Sequence, residues 1–376
     1  MYTLDPKGSV GPKSSFLVAV NLPDQPFDEV EEHLAELAEL IRSCGGKVVG
    51  QEIQRRRRPV ASTFIGRGKA QEIATIAREA GAEIVIFDDD LTPSQVKNLE
   101  KLVELPVMDR SSVILEIFSR RARSREARTQ VELARLGYLL PRLTRLWGHL
   151  SRQVGGIGVR GGAGETQLEA DRRMLRQRIK KLKKDLKKIE RTRQVQRRGR
   201  QNVPVIALAG YTNAGKSTLF NRLTGAGVRA ENLLFATLDS RLRRGALKAG
   251  QIVLFGDTVG FIRKLPHHLV SSFRSTLEEI TEADIVLHVV DRSHPAWADQ
   301  LKVANGVLED LEVDPSRIVL VLNKTDRLEE ASFSAGSEAV AVSALTGAGL
   351  ESLKDLLSQR LFPQEEVTVD TLETTG

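Results

Sequence analysis

Residues 203–218 read VPVIALAGYTNAGKST, and this stretch decides the fold of the second half of the chain. VPVIALA (203–209) is nearly continuous apolar sequence, the pattern of a strand covered on both faces of a parallel sheet. It runs straight into GYTNAGKST, where the spacing of Gly210, Gly215 and Lys216 is that of a phosphate loop opening a helix. In such a loop the amides from Asn213 to Thr218 cradle phosphate oxygens, Lys216 reaches the β- and γ-phosphates, and the Ser217 hydroxyl serves Mg²⁺. Gly210, Tyr211, Thr212, Asn213, Ala214, Gly215, Lys216, Ser217 and Thr218 are therefore candidate nucleotide-binding residues.

Downstream, the run IVLF (252–255) ends in DTVG, placing Asp257 to hold the Mg²⁺ shell through water and Gly260 to meet a γ-phosphate with its amide. Between the two lies FATLDSRLRR (235–244). There Thr237 is a candidate ligand for both Mg²⁺ and the γ-phosphate, and Phe235 a candidate nucleotide neighbour. Two further buried-strand patterns follow, IVLHVVD (285–291) and IVLVL (318–322), and the latter leads into NKTD. Asp326 can accept from guanine N1–H and the exocyclic amine, an edge adenine lacks. Asn323 supports the pocket and the Lys324 stem lies over the ring. SAL follows, Ser343, Ala344 and Leu345, where a backbone amide can meet guanine O6. The nucleotide read from this set is GTP, and its hydrolysis to GDP is assigned to Lys216, Thr237 and Gly260, with Ser217, Thr237 and Asp257 as metal residues.

The 376 residues are too many for one ordinary core, so two or three units are expected. A single cysteine, Cys44, excludes an internal disulfide and a cysteine zinc cluster. No long apolar run and no signal-like opening segment are present, so membrane insertion is not expected and a cytoplasmic location is. Charge is sharply partitioned. Residues 110–200 carry 26 Lys+Arg against 8 Asp+Glu, whereas 1–109 carry 13 against 18 and 201–376 carry 17 against 23. That central block is an electrostatic footprint for a polyanion such as RNA.

The first part, residues 1–110, alternates FLVAV (16–20), KVVGQEI (47–53), IVIF (84–87) and LPVMD (105–109) with amphipathic helix patterns, predicting a small α/β unit with a mostly parallel sheet. Within it TFIGRGKAQEI (63–73) reads as a turn and helix start rather than a phosphate loop, and Arg55–Arg58 as a basic loop. Across 111–200 heptad spacing replaces strands. Leu133, Leu136, Leu140, Leu143 and Trp147 form one stripe, with Pro141 a bend or break, and Leu175, Ile179, Leu182, Leu186 and Ile189 form another. They predict an antiparallel helical hairpin whose tip, GGIGVRGGAGE (155–165), is richer in glycine than a turn requires. Such a tip suits insertion into a narrow crevice of a partner.

These motifs carry a resemblance. The set from 203 to 361 looks like a translation-factor-class GTPase domain, and the chain from about 16 to 361 resembles the HflX family of ribosome-associated GTPases. The matches are QVELARL (130–136), GGIGVRG with GETQLEADRR, FATLD (235–239) and DTVGFIRKLPHHLV (257–270). The resemblance implies a GTP-regulated factor that binds the large ribosomal subunit, points its glycine-rich loop toward the peptidyl-transferase region and helps split or rescue stalled ribosomes. Its rRNA contacts would involve Gly155, Gly156, Gly158, Arg160, Gly161, Arg172, Arg173, Arg176 and Arg178. An assembly or shielding factor with a regulatory GTP site is the alternative. RGGAGE departs from the family's RGPGE, and Ser240–Arg241 stand where Pro-Thr is usual.

The expected architecture is thus α/β: residues 1–110 an N-terminal α/β domain, 111–200 the basic hairpin, 201–362 a P-loop GTPase domain with a parallel-rich sheet, and 363–376 an acidic tail. The free protein is expected to be a monomer. Phe261 occupies the position after the DTVG glycine where many GTPases carry a water-orienting glutamine. Hydrolysis by the free protein is therefore expected to be slow. Ribosomal RNA, or K⁺ held near Asn213, is expected to supply what Phe261 lacks.

Overall fold

The computed structural model describes residues 14–143, 163–198, 203–227, 233–235, 237–239, 241–264, 274–328 and 339–363. Gly155, Gly156, Gly158, Arg160, Gly161 and Trp147 lie outside them, as does the tail beyond Pro363. The protein is α/β with two parallel-rich sheets, and it sorts into two compact units. One comprises Met1–Gly199 with Ala230–Ser240 and Val259–Glu278. The other comprises Arg200–Arg229, Arg241–Thr258 and Glu279–Gly376.

In the first unit, β1 (Ser14–Asn21), β2 (Lys47–Arg55), β3 (Ile84–Phe87) and β4 (Val107–Asp109) form a parallel sheet of order β2-β1-β3-β4. Helices α1 (Phe27–Ser43), α2 (Arg67–Glu79), α3 (Pro93–Val103) and α4 (Arg110–Arg121) connect and follow these strands. Helix α1 buries Val30, Leu34, Leu37, Leu40 and Ile41, one stripe at helical spacing, and opens with Asp28 and Glu29 where the helix dipole favours negative charge. It stops at Gly45, whose φ of +74° suits glycine. Helix α3 starts with a capping box between Thr92 and Gln95, and α4 with one between Asp109 and Ser112.

Helix α5 (Arg125–Leu139) is capped by Ser124, and α6 (Ala163–Arg198) packs along it. Two faces of α5 have different partners. Ala127, Val131 and Ala134 join the core beneath the sheet, while Leu133 and Leu136 are half-buried. On α6 the stripe Leu175, Ile179, Leu182, Leu186 and Ile189 is half-buried or buried, and the Lys and Arg around it are largely exposed. Helix α5 ends before Pro141, which has no amide to continue a helical ladder, so Leu143 lies beyond the helix to which its spacing assigns it.

The second unit holds β5 (Val205–Gly210), β6 (Arg241–Ala246), β7 (Ile252–Asp257), β8 (Ile285–Asp291), β9 (Ile318–Asn323) and β10 (Ala339–Ala341), in the order β10-β9-β8-β5-β7-β6. Its helices are α7 (Lys216–Thr224), the end of α8 (Arg274–Thr281), α9 (Trp297–Asp310) and α10 (Leu350–Leu361). Among the described strands of this unit, β6, on the edge, is the one that pairs antiparallel. Alternate residues of the central strands, among them Ile206, Leu208, Val253, Phe255, Leu287, Val289 and Val321, pack with Leu219 and Phe220 of α7 and Leu353 and Leu357 of α10. The register sets Leu208 beside Asp257, Gly210 beside Val289 and Asp291 beside Asn323. The motif-bearing loops therefore emerge together at the carboxyl edge of the sheet, where open α/β folds bind ligands.

Candidate functional site

In the second unit the phosphate loop is shaped by two glycines for which no other residue fits. Gly210 has φ +139°, and a Cβ there would fall 2.2 Å from the Val289 carbonyl oxygen. Gly215 has φ +93°, and a Cβ would fall 2.2 Å from Asn323 Nδ2. Asn213, exposed between them, also adopts a left-handed φ of +61°. The Lys216 ammonium donates to the carbonyl oxygens of Gly210 at 3.1 Å and Tyr211 at 2.7 Å. Burial pushes its pKa down to about 8, with Lys324 adding to the effect and Asp257 opposing it.

Ser217 Oγ donates to Asp257 Oδ2 at 2.7 Å, and Asp257 is fully buried at the end of β7. The next residue, Thr258, anchors that strand end by donating to the Leu208 carbonyl at 2.6 Å. A hydroxyl and a buried carboxylate are hard oxygen donors, which suit Mg²⁺. Among the described residues no cluster of three or more His, Cys, Asp or Glu forms an alternative metal site. A cation completed by phosphate oxygens and water needs no such cluster.

The NKTD and SAL segments are linked to the phosphate loop through Asn323, whose Nδ2 donates to the Ala214 carbonyl at 2.8 Å while its Oδ1 accepts from the Ala344 amide at 3.0 Å. One side chain thus joins the phosphate loop, NKTD and SAL. Ser343 Oγ donates to Asp326 Oδ1 at 2.5 Å, and Lys324 donates to Asp291 Oδ2 at 2.7 Å. Arg222 reaches back from α7 to the carbonyls of Ala344 and Leu345. Neither Asp291 nor Arg222 is singled out by the motif reading. Asp291 is visible in the sequence only as the acidic residue that ends IVLHVVD.

Phe235, Thr237 and Gly260 belong to the first unit. Leu234, Phe235, Leu238, Val259 and Ile262 are buried in its core, with the Phe235 ring set edge-on to Phe118 at 4.8 Å between centroids. Such a pair contributes about 1 kcal/mol beyond its area burial. Phe261, 1% exposed, is a buried residue of the same segment.

After it, Arg263 pairs with Glu32 at 2.8 Å, and Lys264 with Asp88 at 2.5 Å and Asp89 at 2.7 Å. Buried Arg110 joins this cluster, donating to Asp88 at 2.6 Å, to the Arg263 carbonyl at 3.2 Å and to Glu36. Burial alone lowers the Lys264 pKa, but Asp88 and Asp89 outweigh it and hold the ammonium above its ordinary value. None of these partners is signalled by a sequence motif. On α6, Arg173, Arg176 and Arg178 are exposed and Arg172 is half-buried, and Arg178 forms a two-point pair with Glu132 of α5.

Comparison with known proteins matches consecutive stretches of the chain to three family descriptions. These are "GTP-binding GTPase N-terminal" over residues 31–119, "GTP-binding GTPase Middle Region" over 121–200 and "50S ribosome-binding GTPase" over 205–324. The chain is 47% identical over 348 residues to GTPase HflX of Magnetococcus marinus, covering 91% of this chain and 81% of that protein. It is 46% identical over 343 residues to GTPase HflX of Escherichia coli K12, covering 89% and 80%. A solved structure of an SsGBP and GDP complex aligns with TM-score 0.50 at 25% identity, covering 92% of this chain and 98% of that one.

Proposed function

We propose, since the chain belongs to the HflX family of GTPases and is itself a GTPase, that its task is to bind the large ribosomal subunit and split or rescue stalled ribosomes. GTP is the tight-binding state of the switch and GDP the releasing state. The observation that carries this reading is the division of α6 into a stripe packed along α5 and an exposed basic face. A helix laid out this way presents a dense row of cations to phosphates while remaining anchored. Arg172, Arg173, Arg176 and Arg178 lie on it, and the loop bearing Gly155, Gly156, Gly158, Arg160 and Gly161 is assigned to rRNA near the peptidyl-transferase region. Among the described residues no helix is long and apolar enough to cross a membrane. The protein is assigned to the cytoplasm, as a monomer when free.

At the nucleotide, the amides from Asn213 to Thr218 hold the phosphates, Asp326 and a backbone amide of Ser343–Leu345 read guanine, and the Lys324 stem lies over the base. Thr237 and the Gly260 amide are assigned to the γ-phosphate. Mg²⁺, held by Ser217 and Thr237 and through water by Asp257, would neutralise charge on the β- and γ-phosphates. Because Phe261 can neither donate nor accept a hydrogen bond to orient water, hydrolysis is slow until the ribosome, or K⁺ beside Asn213, assists.

The test is sedimentation and light scattering of whole ribosomes with GTP, GDP and a non-hydrolysable analogue. Splitting with GTP or the analogue but not with GDP supports the reading. Shortening residues 155–164 to a minimal turn should abolish splitting while nucleotide affinity of the free protein is unchanged. Binding without splitting would reassign the chain to ribosome assembly or shielding.

A further inference from the structure

Asp239 ends the FATLD sequence two residues after Thr237, and its carboxylate is occupied at the start of another element 115 residues away. It accepts from the Arg123 amide at 2.9 Å, from the Ser124 amide at 3.1 Å and from the Ser124 hydroxyl. Ser124 is the N-cap of α5, and its Oγ accepts from the Ala127 amide at 3.0 Å. A carboxylate at this place satisfies amides that the helix cannot satisfy internally, and it lies at the positive end of the helix dipole. The neighbours Phe235 and Leu238 are buried against the same unit. Helix α5 in turn carries Glu132, which holds Arg178 of the basic helix, and the half-buried stripe facing α6.

We propose that Asp239 is a positioning residue that couples the Thr237 segment to the first turn of α5, and through α5 to the basic hairpin. The inference rests on the assignment of Thr237 to the γ-phosphate. Two peptide links reach at most about 7 Å, and a hydrogen bond is lost beyond about 3.5 Å. A shift of Thr237 to a new oxygen ligand is transmitted over this short link to the Asp239 carboxylate, where a small displacement is enough to break its hold on Arg123 and Ser124. In the GTP state Thr237 serves the γ-phosphate and α5 is uncapped; in the GDP state Asp239 recaps it. By linkage, whatever the hairpin binds then affects GTP affinity by the same factor as GTP affects that binding.

The test needs no ribosome. Amide hydrogen exchange is followed at Arg123, Ser124 and Ala127 in the full chain, with Mg²⁺ and either GDP or a non-hydrolysable GTP analogue. Exchange should be about fivefold faster with the analogue, the scale set by losing an N-cap interaction. In Asp239→Ala it should be fast in both states, with protection of Leu17 and Val18 in β1 reporting that the unit is still folded. Asp239→Asn, which keeps one acceptor oxygen, should restore part of the difference. Equal exchange with both nucleotides in the natural protein, or a full difference surviving in Asp239→Ala, overturns the coupling. The Thr237 assignment is checked separately by the ratio of GTP to GDP affinity in Thr237→Ala. An unchanged ratio removes that assignment, whereas a reduced ratio together with state-independent exchange removes the Asp239 coupling alone.

Discussion

The Lys216 ammonium lies 2.7 Å from the carbonyl oxygen of Tyr211, within its own loop, and is 6% exposed. Burial, the largest influence, pushes its pKa down to about 8. A bound phosphate favours the charged form, so the pKa in the complex lies higher than in the free protein. Nucleotide affinity is then full below pH 8 and falls as pH rises through it, by about tenfold between pH 7 and pH 9. Fluorescence titration with a labelled GDP across this range measures the slope. Lys216→Arg, which does not titrate there, should be flat, and a flat natural protein would remove the assigned pKa.

Ser343 aligns Asp326 by a 2.5 Å hydrogen bond to one carboxylate oxygen. Asp326→Asn replaces an acceptor pair with a mixed amide, so GTP should weaken by about 2 kcal/mol while xanthosine triphosphate gains in relative terms. Calorimetric titration with both nucleotides checks this, and unchanged GTP affinity would dissolve the guanine pocket.

Arg110 is 1% exposed and pairs with Asp88, which is fully buried. Arg110→Ala removes one of the two cations that hold buried Asp88, leaving Lys264 as its partner, and should destabilise the first unit by about 1–3 kcal/mol. Denaturant unfolding of the full chain should show the first transition moving and the second staying in place. A shift below 1 kcal/mol would show that Lys264 alone neutralises the site.

Arg173 and Arg176 are exposed on α6, whereas Arg178 is already held by Glu132. Reversing the first two to Glu should weaken ribosome binding and lower the magnitude of its salt slope by about one unit per lost phosphate contact. Pelleting assays between low and physiological salt measure this. Arg178→Glu would instead set a like charge beside Glu132 and disturb the helix pair, which far-ultraviolet circular dichroism reports.

Phe261 is buried and has no polar atom on its side chain to orient water. Single-turnover hydrolysis by the free protein should be slow in Na⁺, faster in K⁺, and fastest with ribosomes. Asn213→Ala should erase the K⁺ effect and leave ribosome stimulation. Fast hydrolysis in Na⁺ alone would mean that the chain carries a complete catalytic apparatus of its own.

The continuous runs IVIF and IVLHVVD appear as β3 and β8 with the same bounds, because strands covered on both faces carry apolar residues at nearly every position. RLRRGA gives no such signal yet forms β6. As an edge strand paired antiparallel to β7, it has no need of a buried face at every residue and tolerates three arginines. The heptad reading runs past Leu139 because spacing records which side chains share a face, not where the backbone ladder is interrupted.

NKTD and SAL, the phosphate loop and the basic face of α6 are written in short contiguous motifs, because a turn, a strand end or a helix face is specified by neighbours in the chain. The sequence by itself therefore determines the GTPase family, the α/β class and the charge partition. Tertiary structure alone decides that Lys264 meets Asp88, that Arg110 holds the carbonyl of Arg263, and that Asp239 caps the turn at Ser124. Those partners stand 176, 153 and 115 residues apart, separations at which no local periodicity survives. What brings them together is the burial of Phe235, Leu238, Val259 and Ile262 in the core of the first unit, which places the charged residues beside them within reach of their partners.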